Sequence, residues 1–241
     1  NIVNFQEILT KTPCQKGLTR RLGALYALLK AVVRSCFFLN SFKPDLIIGF
    51  GSFHAFPVLF AAKLQKKPFM LFESNTVAGK VTKFFSSFAT YTAIHLPLVK
   101  KIRGNLIEVS WPLRVKELNL SQVKAREQLQ LAPDRFTLLI FGGSQGASTI
   151  NHSLLSICEH LLAKEMLFQI IHLTGKSISV EVEQFCKRHN IPAFIKTFEQ
   201  NMGQVFYAAD LALCRSGAAT IAEIIHYRVP AILIPYPYAT E

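Results

Sequence analysis

The stretch TLLIFGGSQGA at residues 137–147 decides the fold, because an apolar run leads into a glycine-rich turn and then into an amphipathic segment. Residues 136–141 predict a buried strand, and residues 148–162 predict a helix. Glycine tolerates positive φ in such a turn and, having no Cβ, lets an anionic ligand approach the backbone. The free N–H groups at the helix start attract negative charge. The motif predicts either a phosphate cradle or a plain strand-to-helix turn.

The same alternation of strand and helix continues from residue 136 onward. The pattern predicts strands at 136–141, 167–173, 193–198, 210–214 and 231–235, and helices at 148–162, 179–189, 200–209 and 218–227. Strict alternation predicts right-handed βαβ units and a doubly wound parallel sheet. Short apolar strands recur in the first half as well, so the fold class is α/β, with two Rossmann-like domains facing a cleft. We expect a first domain at 1–114, a linker at 115–134 and a second domain at 135–241. The start at Asn1 and the end just after a strand-like run suggest that both domains are incomplete.

The charge balance points to an anionic partner. The 241 residues include 27 Lys and Arg against 15 Asp and Glu, a formal net charge of +12. Such a balance suits nucleic acid, an acidic membrane surface or a phosphorylated substrate. Spread-out basic residues, with no zinc spacing, repeat or RNA-binding aromatic signature, argue against nucleic acid. The five cysteines form no CxxC pair, which suggests buried, reduced thiols in a cytosolic protein and no metal site.

An apolar helix is predicted from residue 19 to residue 39, nearly long enough to span a bilayer. Lys30 and Arg34 lie inside it, and each would cost a few kcal/mol at a bilayer centre. Two alternatives remain: a buried core helix, or a helix at a membrane surface with Arg20, Arg21, Lys30 and Arg34 at the headgroups.

Three strand ends of the second half place chemically useful residues at one sheet edge. Ser144 adds a hydroxyl donor to the glycine loop, and Phe198 before Glu199 offers an aromatic platform for a flat base. Glu223, one turn into a helix that begins with small residues, can accept hydrogen bonds from a vicinal diol such as ribose. Each residue also has a purely structural explanation, because Phe198 suits a core and Glu223 suits a helix dipole. Together they describe a nucleotide diphosphate site.

Five motifs resemble the MurG family of bacterial glycosyltransferases in the order expected along the chain. They are PDLIIGFGSF at 44–53, FESNTVAGK at 72–80, GGSQGA at 142–147, RSGAATIAE at 215–223 and PAILIPYPYATE at 230–241. The resemblance implies the GT-B fold and transfer of N-acetylglucosamine from UDP-N-acetylglucosamine to lipid I, with inversion, giving lipid II in peptidoglycan biosynthesis. It also implies no cofactor, and a peripheral position at the cytoplasmic face of the bacterial inner membrane, on its anionic surface.

The resemblance also implies roles for single residues. Phe198 and the backbone of Glu199 would contact uracil, Glu223 would bind the ribose hydroxyls, and Asn75 would face the sugar or the acceptor across the cleft. Glu73 is the best candidate for the catalytic base within this chain. The remaining expected donor contacts are Gly143, Ser144, Gln145 and Gly146 at the diphosphate, Arg114 by the nucleotide, and Ala218, Ala219 and Thr220 at the N-acetylglucosamine.

The chain also departs from the family pattern. The GGTGGH-type loop with its candidate catalytic histidine is absent, as is the DHQ-type segment that holds the donor sugar, and Trp111 replaces the usual asparagine. Another GT-B lipid glycosyltransferase, for example one that glycosylates diacylglycerol, therefore remains an alternative. A non-catalytic nucleotide-sugar or membrane-binding module is a second.

Overall fold

The computed structural model describes residues 7–8, 18–113, 120–143, 148–175 and 180–235. The chain divides into two compact units, Asn1–Ser110 and Trp111–Thr240. Each unit is built on one parallel β-sheet with helical crossovers, so the predicted α/β class with two parallel-sheet units is confirmed. The predicted sites at Arg114, Ser144, Gln145 and Gly146 lie outside the described residues.

The first unit carries a four-stranded parallel sheet in the order β1-β2-β3-β4. Its core joins Leu39, Leu59, Leu71 and Phe85, which come from both helices and strands. The elements of this unit are α1 (Leu18–Phe42), β1 (Ile47–Gly49), a 3-10 turn (Phe53–Ala55), α2 (Phe56–Leu64), β2 (Phe69–Glu73), α3 (Lys80–Phe85), β3 (Tyr91–Ile94) and β4 (Leu106–Glu108).

Helix α1 has two apolar stripes on opposite sides. One stripe is buried and includes Ala24, Ala31 and Leu39, and the other is exposed and includes Tyr26 and Phe37. Residues two apart point to nearly opposite sides of a helix, which separates the two stripes. The buried stripe packs on α2. Within the described residues, the stretch Arg21–Phe42 is long and apolar enough to cross a bilayer, by length and composition alone. The predicted alternative of a buried core helix therefore applies to only one face of α1, because the opposite face is exposed.

The second unit carries a five-stranded parallel sheet in the order β7-β6-β5-β8-β9. From β5 the chain adds β6 and then β7 on one side, and it then returns to add β8 and β9 on the other side of β5. The direction of strand addition therefore reverses between the central strands β5 and β8. Ligands of open α/β sheets bind at the carboxyl ends of the strands beside such a reversal. The elements are α4 (Gln122–Gln128), β5 (Phe136–Phe141), α5 (Ser148–Ala163), β6 (Phe168–Leu173), α6 (Val180–Arg188), β7 (Ala193–Lys196), α7 (Met202–Ala208), β8 (Leu211–Arg215), α8 (Ala218–Tyr227) and β9 (Ala231–Ile234).

Both faces of the central strands of the second sheet, β6, β5 and β8, are buried, as their nearly continuous apolar runs predict. Ile140 and Ile170 face a core with Leu154 of α5, whereas Phe141 and Leu173 face the opposite core with Phe206 of α7. Alternate residues of each strand therefore serve opposite helical layers.

The stretch predicted as a linker contains α4, whose Arg126 is buried in the second unit. Its guanidinium donates to Asp210 Oδ2 over 2.6 Å, to the Ala208 carbonyl over 3.0 Å and to the Pro133 carbonyl over 2.8 Å. Asp210 Oδ2 also accepts from the Thr137 amide over 2.7 Å. This hub ties α4 to the amino ends of β5 and β8, at the opposite end of the sheet from the glycine loop.

Candidate functional site

A pocket of about 180 Å³ opens at the carboxyl ends of the strands in the second unit. Its lining brings together residues from the ends of β5, β6 and β7 and from the first turns of α7 and α8. The residues that line it are Phe141, Gly143, Leu173, Thr197, Phe198, Glu199, Met202, Thr220 and Glu223. The structure thus places Gly143, Phe198, Glu199, Thr220 and Glu223, five of the predicted donor contacts, around one cavity.

Gly143 lies two residues after the end of β5 and has φ +84°, a conformation that side-chain-bearing residues rarely adopt. Among the described residues, a Cβ built on it would meet nothing within 4 Å. The requirement for glycine here is therefore conformational.

Phe198 lies in a loop, because β7 ends at Lys196, two residues earlier than the sequence pattern predicts. Its side chain is 63% exposed. A core residue would be covered, so the structural alternative for Phe198 does not hold. A large exposed ring at the mouth of a pocket is suited to stacking on a flat base.

Glu199 has its carboxylate engaged next to that ring. Lys196 Nζ donates to Oε2 over 2.9 Å, and the Asn201 amide donates to Oε1 over 2.9 Å. The Asn201 N–H, followed by Lys196, lowers the pKa of Glu199 despite partial burial. The ionised side chain therefore holds the turn before α7, and the ligand contact expected of the Glu199 backbone stays a prediction.

Glu223 lies one turn into α8, whose N-cap residue is Gly217. Burial raises the pKa of Glu223, and its charge adds to the burial that raises the pKa of Cys214 to about 11. A partly desolvated carboxylate is a strong acceptor for hydroxyl donors. Ala218 and Ala219 form the first turn of the same helix but do not line the pocket, whereas Thr220 does.

In the first unit, Glu73 ends β2 and is only 3% exposed. Its Oε1 accepts hydrogen bonds from the Asn75 amide (3.1 Å) and from Asn75 Nδ2 (3.2 Å), and its Oε2 accepts from the Gly79 amide (3.0 Å). The carboxylate thus pins the loop between β2 and α3 and orients Asn75, which is exposed. Both carboxylate oxygens already accept hydrogen bonds from this loop, and the assignment of Glu73 as a catalytic base stays a prediction.

Three apolar residues of the pocket, Phe141, Leu173 and Met202, were not among the sequence predictions. Phe141 and Leu173 are register partners at the ends of β5 and β6. The strand register would have found them, because the last residue of each central strand lies at the ligand edge. Their apolar character alone is that of any core residue.

Two family models match the chain. Residues 1–94 match the glycosyltransferase family 28 N-terminal domain, and residues 137–241 match the glycosyltransferase family 28 C-terminal domain.

Relatives named UDP-N-acetylglucosamine--N-acetylmuramyl-(pentapeptide) pyrophosphoryl-undecaprenol N-acetylglucosamine transferase match the whole chain. One from Protochlamydia amoebophila is 39% identical over 100% of this chain and 65% of its own length. One from Elusimicrobium minutum is 30% identical over 100% of this chain and 67% of its own length. The chain thus spans about two thirds of such relatives or somewhat less.

Solved structures show the same architecture. The crystal structure of Acinetobacter baumannii MurG matches with a TM-score of 0.68 and 25% identity, over 90% of this chain and 60% of that one. The glycosyltransferase SnogD from Streptomyces nogalater matches with a TM-score of 0.61 at 12% identity, over 89% of this chain and 61% of that one, a likeness of fold alone.

Proposed function

This chain belongs to the MurG family of glycosyltransferase family 28, with the GT-B fold, and from that premise we propose that its second unit binds UDP-N-acetylglucosamine. The whole enzyme would transfer N-acetylglucosamine to the C4 hydroxyl of the lipid-linked N-acetylmuramoyl sugar of lipid I, forming lipid II. The observation that carries this proposal is the pocket in which Gly143, Phe198, Thr220 and Glu223 meet.

Each part of the donor has a matching group in the second unit. The exposed ring of Phe198 would stack on uracil, while the Glu199 backbone would hydrogen-bond the edge of the base. Glu223 would accept hydrogen bonds from the ribose hydroxyls. The diphosphate would lie beside Gly143, which precedes the amino end of α5 in sequence.

The proposed reaction is a single inverting displacement. The C4 hydroxyl oxygen attacks the anomeric carbon, the bond from that carbon to the UDP oxygen breaks, and UDP leaves with the electron pair. A base takes the hydroxyl proton, and Glu73 is the candidate in this chain. Amide groups at the start of α5 and the cation of Arg114 would stabilise the charge that develops on UDP.

Titration calorimetry with UDP tests the donor assignment on the 241-residue chain. Glu223→Ala should weaken binding about tenfold, because the lost carboxylate accepts charge-assisted hydrogen bonds. Glu181→Ala, an exposed carboxylate on α6, is the matched control and should bind as the wild type does. Equal affinity of all three proteins would remove Glu223 from the site. A transfer assay of the complete protein with lipid I against diacylglycerol then separates the proposed acceptor from the alternative one.

We also propose that α1 docks the protein on the anionic cytoplasmic surface of the inner membrane. Its outer stripe exposes large apolar side chains at Leu22, Tyr26, Leu29, Val33 and Phe37. Lys30 and Arg34 are exposed beside this stripe. Apolar side chains flanked by cations suit a helix that lies in the headgroup region.

Vesicle sedimentation tests this docking. Each cation near an anionic surface contributes about 1 kcal/mol, so a Lys30→Gln/Arg34→Gln variant should bind phosphatidylglycerol vesicles roughly 25-fold more weakly. Phe37→Ser should also weaken binding, whereas Phe198→Ser in the second unit should not. The docking would be refuted if vesicle binding did not depend on the anionic lipid content and was the same for wild type, Lys30→Gln/Arg34→Gln and Phe37→Ser.

A further inference from the structure

His172 is a fully buried histidine in β6, with 0% exposure. Strand alternation puts it on the same side of the sheet as Ile170, which faces the core beneath α5 and α6. It does not line the donor pocket, which its neighbour Leu173 does on the other side of the strand. A polar ring in an apolar layer calls for a reason, because burying one costs free energy unless it is hydrogen-bonded.

The reason is a hydrogen bond to the first turn of α5. His172 Nε2 lies 3.1 Å from Asn151 Oδ1, and Asn151 Nδ2 donates to the Thr174 carbonyl over 3.0 Å. Turning the amide of Asn151 over would set its oxygen against that carbonyl, so the oxygen must face His172. The ring therefore carries its proton on Nε2 and donates it.

The remaining ring nitrogen agrees with this tautomer. Nδ1 is buried and has no hydrogen-bond partner among the described residues. With the proton on Nε2, the donor of the ring has a partner and the unpaired nitrogen is the acceptor. Burial also lowers the pKa of His172 to about 4, so the ring is neutral at physiological pH.

The network continues to the other end of the donor pocket. The Thr174 amide donates to the Lys196 carbonyl over 2.9 Å, and the Gly175 amide donates to the Thr197 carbonyl over 3.0 Å. Thr197 directly precedes Phe198 in the loop after β7. One chain of hydrogen bonds therefore joins the first turn of α5, which follows the glycine loop in sequence, to the backbone that carries the aromatic platform.

We propose that His172 is a positioning residue of the donor site: through Asn151 it fixes the start of α5 against the end of β6, and so sets the spacing between the diphosphate end and the base end of the pocket. This inference rests on the proposed function, because it needs UDP to be the ligand. His172 touches neither the nucleotide nor the sugar and acts only through Asn151 and Thr174.

UDP affinity of three variants tests the proposal. His172→Leu removes the hydrogen bond between His172 Nε2 and Asn151 Oδ1 and should weaken UDP binding about tenfold, because the start of α5 is then held less firmly against β6. His172→Gln keeps an N–H at similar reach and should stay within about threefold of wild type. Val182→Ala, in the same core but with a side chain that makes no hydrogen bond, should lower the melting temperature and leave affinity unchanged.

The outcomes distinguish failure of the donor-site proposal from failure of the positioning role of His172. A wild-type chain that does not bind UDP removes the donor-site proposal itself. A wild-type chain that binds UDP, with His172→Leu binding equally well or Val182→Ala weakened to the same degree, overturns the positioning role alone.

If His172→Leu does not fold, nitrogen NMR of the wild-type ring decides. A proton on Nε2 with Nδ1 unprotonated supports the network, and a proton on Nδ1 contradicts it.

Discussion

Phe198→Ala should weaken UDP binding while leaving the fold intact. The ring is 63% exposed and belongs to none of the buried clusters of the second unit, so removing it uncovers little apolar surface. We expect the free energy of unfolding to change by no more than about 0.5 kcal/mol, as for other exposed positions.

The binding loss follows from stacking. An aromatic side chain stacked on a base contributes about 1–3 kcal/mol, which corresponds to roughly a 5- to 150-fold rise in the Kd for UDP. Titration calorimetry measures this ratio, and urea unfolding measures stability on the same samples.

Phe37→Ala is the matched control, because that ring is 73% exposed and lies on α1 in the first unit. It should leave UDP affinity unchanged. The reasoning fails if Phe198→Ala binds UDP within twofold of wild type, or if Phe37→Ala loses as much affinity. A stability loss of several kcal/mol in Phe198→Ala would mean that the ring is a packing residue after all.

Three further predictions concern stability. Glu223→Gln should raise the melting temperature at pH 7, because burial raises the pKa of this carboxyl and penalises its charged form; the gain should vanish as the pH falls through that raised pKa. Asp210→Ala should cost about 3–5 kcal/mol in urea unfolding, since it leaves the buried guanidinium of Arg126 without its counter-charge, whereas the exposed Asp45→Ala should cost little. Arg228→Gly should stabilise by about 1 kcal/mol in thermal melts, because the cap of α8 has φ 54°; an unchanged melting temperature would contradict this reading.

The fold of the second unit could be predicted because its signals are local. β5 and α8 begin and end at the predicted residues, since apolar runs, glycine and small residues mark their ends. β7 ends earlier than predicted, because the chain turns after Lys196, where Glu199 accepts hydrogen bonds from Lys196 and Asn201. That turn depends on side-chain geometry that hydrophobic periodicity does not encode.

The site could be predicted only where polar or aromatic residues stand at strand ends. Phe198 and Glu223 were found in this way, but Leu173 and Met202 were not, because an apolar residue at a pocket wall has the same pattern as one in a core. Glu73 was identified as a residue of interest, yet its bonds to the Asn75 and Gly79 amides depend on the path of a loop. The exposed apolar stripe of α1 could not be predicted either, because apolar residues lie on both sides of this helix and the sequence does not show which side is buried.

We propose that the pocket of the second unit holds UDP with its base at Phe198 and its ribose at Glu223. A crystal structure of this chain with UDP bound tests this arrangement most directly. We expect uracil stacked on the Phe198 ring, ribose hydroxyls within hydrogen-bond distance of the Glu223 carboxylate, and the diphosphate beside Gly143. Uridine bound elsewhere, or bound here with its ribose away from Glu223, would contradict it.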